Sequence, residues 1–341
     1  MDSYRMPAEW EQHVGTYLAW PYDEITFPDG RLARVEQTYL SIIKILHESE
    51  MVFLLVRDTV MQEYVTSLLT SLMIDISRIA FLQADYADVW IRDYGPCFVK
   101  NPESGEKAWI KWRYNAYGNK FPDLLKDNEV FFQLKKEVPG LCIEIPLFIE
   151  GGAFEVNGNG TLITTKQCLQ NPNRNPTLTQ DETENVLMKT VGAKKVVWLT
   201  EGIVNDHTDG HIDDVVKFVN ATTILCAYEE NSDDPNFSIC DEAYRILSQS
   251  VDESGNSFTL IKLPMPHYNY DDGTKAPASY ANFYIANTVV LVPVYNDPND
   301  KKALEIIQSC FPEKKVVGVD CTDLIYGGGA IHCITQQQPV L

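Results

Sequence analysis

Cys333 follows the stretch Gly327-Gly328-Gly329-Ala330-Ile331-His332, close to the C-terminus of the chain. Glycines let a backbone turn sharply and let another group approach closely. A cysteine held at such a turn can be presented into a pocket as a nucleophile. A nucleophilic thiol needs a base, a group that orients the base, and a means of holding the substrate. Three further segments offer these: Trp90-Ile91-Arg92-Asp93, Glu150-Gly151-Gly152 and Asp209-Gly210-His211-Ile212-Asp213. Together they suit attack on a planar cationic carbon. A guanidinium presents its N–H donors in a fixed fork, and carboxylates match that fork bidentately. Two carboxylates would clamp it while a thiolate attacks the central carbon. A histidine would protonate the departing ammonia and then activate water, and a third carboxylate would orient that histidine.

Each segment alone has a plainer reading. Asp93 precedes Tyr94-Gly95-Pro96, so it stands either at the end of a strand, where sites commonly occur, or as a simple turn residue. His211 and Asp213 are two apart and share a face on an extended segment; a solvated polar loop has the same composition. His207, His211 and Asp213 form H-x-x-x-H-x-D, and two histidines four apart bind zinc on a helix. Gly210 and the β-branched Thr208 and Ile212 weaken a helix there. A lone cysteine beside glycines is more often structural. The presence of all four segments in one chain is what points to chemistry.

The elements that must position these residues recur along the chain. Met51–Val56 is an apolar run flanked by charges and reads as a buried strand. Before it, Leu32, Val35, Leu40, Ile43 and Leu46 fall roughly on one helical face. Further helices are expected near 60–72, 123–137, 181–191, 239–250 and 301–310. Strands are expected at Ile79–Leu82, Ala108–Tyr114, Lys195–Leu199, Thr223–Tyr228, Phe258–Leu263, Val289–Val294 and Lys315–Val319. The recurrence suggests a repeated α/β module. No linker or low-complexity tract divides the chain, so residues 1–341 are expected to form one domain. Asn231–Phe237 and His267–Lys275 read as surface loops, the second placed to form part of a site rim.

At 341 residues with 45% hydrophobic content, the chain can bury a substantial core. The 28 basic and 48 acidic residues leave a formal charge of −20. This disfavours nucleic acid or an anionic membrane surface as partner and is compatible with a cationic substrate. It also simply keeps a protein dissolved. The eight cysteines include no C-x-x-C pair, so no zinc ribbon or thioredoxin motif is present. Several, such as Cys226 in Ile224-Leu225-Cys226-Ala227, read as buried free thiols. Met1–Trp10 lacks the basic start and apolar core of a signal peptide, and no run of 18 apolar residues exists. A reducing cytoplasm is the expected compartment.

The whole chain resembles the agmatine deiminase family, which shares a domain with bacterial-type peptidyl-arginine deiminases. The resemblance rests on Met6–Glu11, Leu18–Pro21, Trp90–Asp93, Asn115–Gly118, Glu150–Gly152, Asn171–Pro176, Thr208–His211, Ala278–Tyr284 and Gly327–Pro339. It implies a five-bladed α/β propeller, the pentein fold of guanidino-group modifying enzymes. It further implies a hydrolase acting on a linear amidine C–N bond, converting agmatine to N-carbamoylputrescine and ammonia in polyamine metabolism. Cys333 would be the nucleophile, His211 the acid/base, and Glu150 the residue that orients His211. Asp93 and Asp213 would clamp the guanidinium, Trp90 would line the pocket, and Asp209 and His207 would lie on the substrate side. No cofactor or metal is implied; the partner is a small cationic guanidino compound, and a homo-oligomer is compatible. Three positions depart from the family pattern. His207 stands where a glutamate is common, Tyr94 where threonine is frequent, and Ala330 where asparagine is common. Deimination of peptidyl-arginine, amidino transfer to an amine and non-catalytic guanidine binding are the competing readings.

Overall fold

The computed structural model describes residues 4–340, and these form five small sheets of one recurring design. Four sheets hold three strands each: β4 to β6 (Cys97–Lys100, Lys107–Arg113, Leu141–Phe148), β7 to β9 (Phe154–Val156, Thr161–Thr165, Lys195–Leu199), β10 to β12 (Val216–Phe218, Thr223–Tyr228, Thr259–Pro264) and β13 to β15 (Tyr284–Ile285, Val289–Val294, Lys315–Asp320). In each, the first two strands pair antiparallel through a short connection. The second and third pair parallel across a crossover that carries helical turns. The remaining sheet is four-stranded and joins the ends of the chain. C-terminal β16 (Gln336–Pro339) runs antiparallel to β1 (His13–Ala19), which is followed by parallel β2 (Met51–Val56) and β3 (Ile79–Gln83). The architecture is a five-bladed α/β propeller whose ring is closed by strands from opposite ends of the chain.

Local chemistry accounts for the crossovers. The helix Gln180–Val191 starts at a capping box: the Thr179 side chain accepts from the Glu182 N–H, and Glu182 accepts from the Thr179 N–H. It ends at Gly192, whose φ of 75° is left-handed. The helix Phe237–Gln249 buries Cys240, Ala243 and Leu247, which recur at the helical interval. Fully burying a side chain such as Leu247 contributes about 1.5–3 kcal/mol. Among the middle strands, β2 and β14 are apolar at every position, and Val289–Leu291 and Ile224–Cys226 are buried.

The expected strands lie within about a residue of their observed positions, and helices occupy 59–71, 180–191, 237–249 and 300–310. The helix expected over 123–137 is instead a 3-10 stretch, Pro122–Glu129, followed by a single α-turn, Val130–Gln133. The buried Asp127 explains the difference. Its carboxylate accepts the N–H groups of Ala87 and Asp88 from another segment, so it faces inward where a regular polar helix face would be solvated. The segment around Asp93 also differs from expectation. Ile91–Tyr94 is one helical turn leading into β4, not the end of a strand, and it is closed by Gly95 N–H on Ile91 O at 2.9 Å.

Candidate active site

The chemically informative residues stand at equivalent places in the repeat. Asp93 precedes β4, Glu150 and Gly152 precede β7, and His211 and Asp213 precede β10. Asn282 precedes β13 and Cys333 precedes β16. The connection entering each blade's short antiparallel strand therefore delivers one piece of the site, and the pieces meet. Gly152 marks the meeting point. A Cβ there would lie 2.6 Å from His211 Nδ1, 3.0 Å from Asp93 Oδ1 and 3.1 Å from Asp213 Oδ2. Only glycine allows this approach. His211 and Asp213 do come together, around Gly152, but through a 3-10 turn at Ile212–Asp214 rather than an extended segment, and neither lines the cavity wall itself.

Asp93, Trp90 and Cys333 line a cavity of about 550 Å³. Asp23, Asp88 and Asp123 line it too, against one ammonium, Lys120, which is already paired with Asp209 and donates to His207 O at 3.0 Å. The glycine run lies against the Trp90 indole. A Cβ on Gly329 would sit 2.7 Å from Trp90 Cζ3 and 3.1 Å from Cys333 Sγ, and Gly328 has φ 97°. Trp90 is fixed from behind by its Nε1–H on Asp88 Oδ2 at 3.0 Å.

Each Asp93 carboxylate oxygen already accepts one hydrogen bond within the protein and keeps a further lone pair. Gly152 N–H donates to Oδ1 at 3.0 Å and Tyr117 O–H to Oδ2 at 2.8 Å. Burial pushes its carboxyl up to about 6, with Asp213 and Glu150 adding to the push and His211 opposing it. Tyr117 holds φ 57° to make this contact, an unusual conformation for a non-glycine residue. Asp213 has the opposite balance. Burial raises its pKa, but hydrogen bonding and charge from His332, with His211 and Lys217, outweigh burial and hold it below the usual carboxylate value. Its Oδ2 is 2.7 Å from His332 Nδ1 and 3.9 Å from Cys333 Sγ, while Oδ1 is buried without a partner. Cys333 also receives Asn282 Nδ2–H at 3.2 Å. Burial, then Asp213, Asp214 and Asp93, push its thiol pKa far up, which favours the thiol over the thiolate.

His211 Nδ1 lies 3.7 Å from Asp93 Oδ1, and Nε2 is buried without a partner. Burial would lower its pKa, but Asp93, Cys168 and Glu150 raise it well above the ordinary value. Glu150 does not orient His211 through a direct hydrogen bond. Its Oε1 accepts Arg174 Nε–H at 2.8 Å and its Oε2 is unpartnered. A Glu150 carboxylate oxygen, a ring nitrogen of His211 and Cys168 Sγ nonetheless lie within 4.8 Å of one another. The H-x-x-x-H-x-D segment of His207, His211 and Asp213 does not gather into a metal-ligand set. His207 lies apart at the cavity wall, its ring 6.0 Å from Phe121. The Glu150–Cys168–His211 group is where a thiophilic ion could enter, with the Arg174 guanidinium opposing it.

Asp209, expected on the substrate side, is turned away from the cavity. Its carboxylate binds Arg174 Nη1 at 2.6 Å, Asn173 Nδ2 at 2.9 Å and Lys120. Three donors on the protein side leave it none of the geometry needed to meet substrate. The loop His267–Lys275 contributes no lining residue. It braces one: Asp271 N–H donates to Tyr326 Oη at 3.1 Å, and the Tyr270 and Tyr326 rings are 4.9 Å apart. Sequence reasoning gave no role to Tyr117, Asn282, Asp88, Arg174 or His332, although all but Asp88 lie in the segments that carried the family resemblance. Arg92, the cation beside Asp93, is buried and bound to Glu9 and Gln337.

A five-bladed propeller with a thiol, an imidazole and paired carboxylates delivered by successive blade connections defines the class of guanidino-group modifying proteins. A family model described as Porphyromonas-type peptidyl-arginine deiminase matches residues 5–339, and the chain belongs to that family. It is 34% identical to an agmatine deiminase of Pseudomonas fluorescens (strain SBW25), with 99% of this chain and 96% of that protein covered. A solved structure of an agmatine deiminase of Enterococcus faecalis superposes with a TM-score of 0.89 at 32% identity, covering 99% of this chain and 96% of that one. An amidinotransferase from Microseira wollei, at 10% identity and TM-score 0.55, covers 97% of this chain and 95% of that one and shares the fold alone.

Proposed function

We propose that the whole chain is one deiminase domain that hydrolyses agmatine to N-carbamoylputrescine and ammonia through a covalent intermediate on Cys333. The observation that carries this reading is the cavity itself: a thiol and Asp93 in its wall, three further aspartates around it, and its single ammonium already paired. Such a cavity suits a substrate with a cation at each end, and among the described residues its lining holds no free lysine or arginine for the carboxylate of arginine.

The guanidinium enters between Asp93 and Asp213, where the unpartnered Asp213 Oδ1 accepts an N–H. Its positive charge offsets the carboxylates that hold the Cys333 proton, so substrate binding itself favours the thiolate. The Cys333 proton passes to solvent as the guanidinium seats, and the C–S bond forms as the thiolate attacks the central carbon. The ammonia released in the next step takes up a solvent proton and departs as ammonium, which balances the count. The C–N bond to one terminal nitrogen then breaks, and His211, held protonated by its neighbours, gives the leaving ammonia its proton. The resulting thiouronium is attacked by water, which passes a proton to His211. The C–S bond breaks, leaving the urea group and a regenerated thiol. Asn282 Nδ2–H steadies the negative sulfur in both steps. Expected in a reducing compartment, all eight cysteines are free, and among the described residues no helix is long and apolar enough to cross a membrane.

The test is product analysis with agmatine, free arginine and a blocked arginine peptide. Agmatine should be preferred by at least about tenfold in kcat/KM, equivalent to ~1.4 kcal/mol. A win for the peptide or for free arginine at both pH 6 and pH 8 would reject the substrate and leave the chemistry standing. Two pH values are needed because His207, at the cavity wall, becomes cationic when protonated and would then repel a substrate ammonium.

A further inference from the structure

Behind Asp213, away from the cavity, lies a buried chain of hydrogen bonds that the reaction above does not use. His332 Nδ1 is 2.7 Å from Asp213 Oδ2; its Nε2 is 2.7 Å from Lys217 Nζ and 2.8 Å from Glu9 Oε2. Lys217 Nζ also donates to Glu9 Oε2 at 2.9 Å and lies 3.5 Å from Glu155 Oε2. Glu9 further accepts Ile285 N–H at 2.9 Å and faces Arg92 Nη2 at 3.5 Å. His332, Lys217 and Asp213 are each at most 2% exposed.

The donor inventory constrains one side of the ring. Nε2 is within reach of both the Lys217 ammonium, which only donates, and the Glu9 carboxylate, which only accepts. Nδ1 faces a carboxylate alone, so it carries a proton, and that proton is given to Asp213 Oδ2. Because Oδ2 is occupied from behind, only the unpartnered Oδ1 remains for substrate. His332 therefore does two things to Asp213. It fixes the carboxylate's rotation, and it favours the charged form that a guanidinium needs.

We propose that His332, donating from Nδ1, is a positioning residue that presents one oxygen of an ionised Asp213 to the substrate guanidinium. The assignment rests on the deiminase reading, but its first test does not. In 15N-histidine-labelled protein without substrate, Nδ1 of the His332 ring should carry a proton. A ring protonated on Nε2 alone would overturn the proposal whatever the enzyme acts on.

The second test is kinetic. His332→Ala removes the donor, so buried Asp213 should hold its proton to higher pH. The acid limb of kcat/KM should then move up, and the carboxylate, no longer held in rotation, should lower kcat/KM roughly tenfold or more near neutrality. His332→Asn places an amide N–H near the Nδ1 position and should recover most of that loss. His332→Gln, whose amide reaches toward the Nε2 position, should not. The groups facing His332 are Asp213, Glu9, Lys217 and, beyond them, Glu155 and Arg92. Glu155→Gln serves as the control for a general change in buried charge. A folded His332→Ala protein with an unmoved acid limb, or equal rates for the Asn and Gln variants, would overturn the proposal. If wild type has no deiminase activity at all, the function fails while the tautomer result still stands or falls alone.

Discussion

At Cys333 the local field opposes the form that reacts. Burial and the carboxylates of Asp213, Asp214 and Asp93 all keep the proton on sulfur. The free enzyme should therefore alkylate slowly at neutral pH. The rate of iodoacetamide labelling at Cys333 should climb about tenfold per pH unit from 7 to 9, because only the thiolate reacts. A plateau already reached at pH 7 would show a preformed thiolate and remove the need for substrate assistance. Cys333→Ser should lower turnover by several orders of magnitude, the scale seen when a covalent nucleophile is lost. The clamp is a second matter at this scale. Charge-assisted hydrogen bonds contribute about 1.5–3 kcal/mol each, so Asp93→Asn and Asp213→Asn should each lower kcat/KM by at least about tenfold. Unchanged kinetics in both would place the guanidinium elsewhere. Glu150 is read from this geometry as the anchor of Arg174, with its free oxygen near His211, rather than as a direct hydrogen-bond partner of the base.

Among the elements, the short connections before each blade's first strand carry the burden of precision. Glu150-Gly151-Gly152 forms a 3-10 turn so that Gly152 can lie against His211, Asp93 and Asp213 at once. Gly152→Ala would drive a methyl into His211 Nδ1 at 2.6 Å. The expected result is a folded protein with kcat reduced at least about a hundredfold, the scale of an ångström-sized misplacement of reacting groups. Circular dichroism would verify the fold, and near-normal kcat would mean the four segments do not meet as described. The same close approach explains Gly329, where a methyl would press on both Trp90 and the Cys333 sulfur.

For the whole molecule, the decisive feature is ring closure between the two ends of the chain. β16 pairs with β1, and its glutamines reach into other parts: Gln338 Oε1 accepts Tyr17 O–H at 2.7 Å, Gln337 Oε1 accepts Arg92 Nη1–H at 2.8 Å, and Gln336 Nε2–H donates to Pro96 O at 2.9 Å. Removing residues 336–341 would leave these buried partners and the inner face of β1 unpaired. At about 1–3 kcal/mol per orphaned buried group, the melting temperature should fall by at least roughly 5 °C. Scanning calorimetry showing an unchanged transition would mean that the ring does not depend on this strand. Because Cys333 stands shortly before β16 and Glu9 shortly before β1, the same closure brings His332 and Glu9 together.

Part of this protein was legible in its residues alone. Apolar runs such as Val289–Val294 fixed the buried parallel strands, because a strand enclosed on both faces must be apolar at nearly every position. The amphipathic interval in Phe237–Gln249 fixed a crossover helix for the same reason of burial. The co-occurrence of Cys333, His211, Glu150, Asp93 and Asp213 pointed to guanidine chemistry, because few other reactions need that set. The antiparallel strands β7, β10 and β13 were not legible. Two or three residues long, they have no period to read, and they exist because the neighbouring strand offers a free edge. Nor could the sequence separate Asp209 from Asp213, four residues apart and identical in type. Only the packing turns one toward Arg174 and the other toward the thiol. Ile91–Tyr94 is a helical turn, and 122–133 is not a single helix, because buried hydrogen bonds to distant segments outweigh the local preferences of those residues. The role of His332 belongs to the tertiary structure as well. A histidine's tautomer is set by what surrounds both ring nitrogens, and here its partners come from positions 9, 213 and 217.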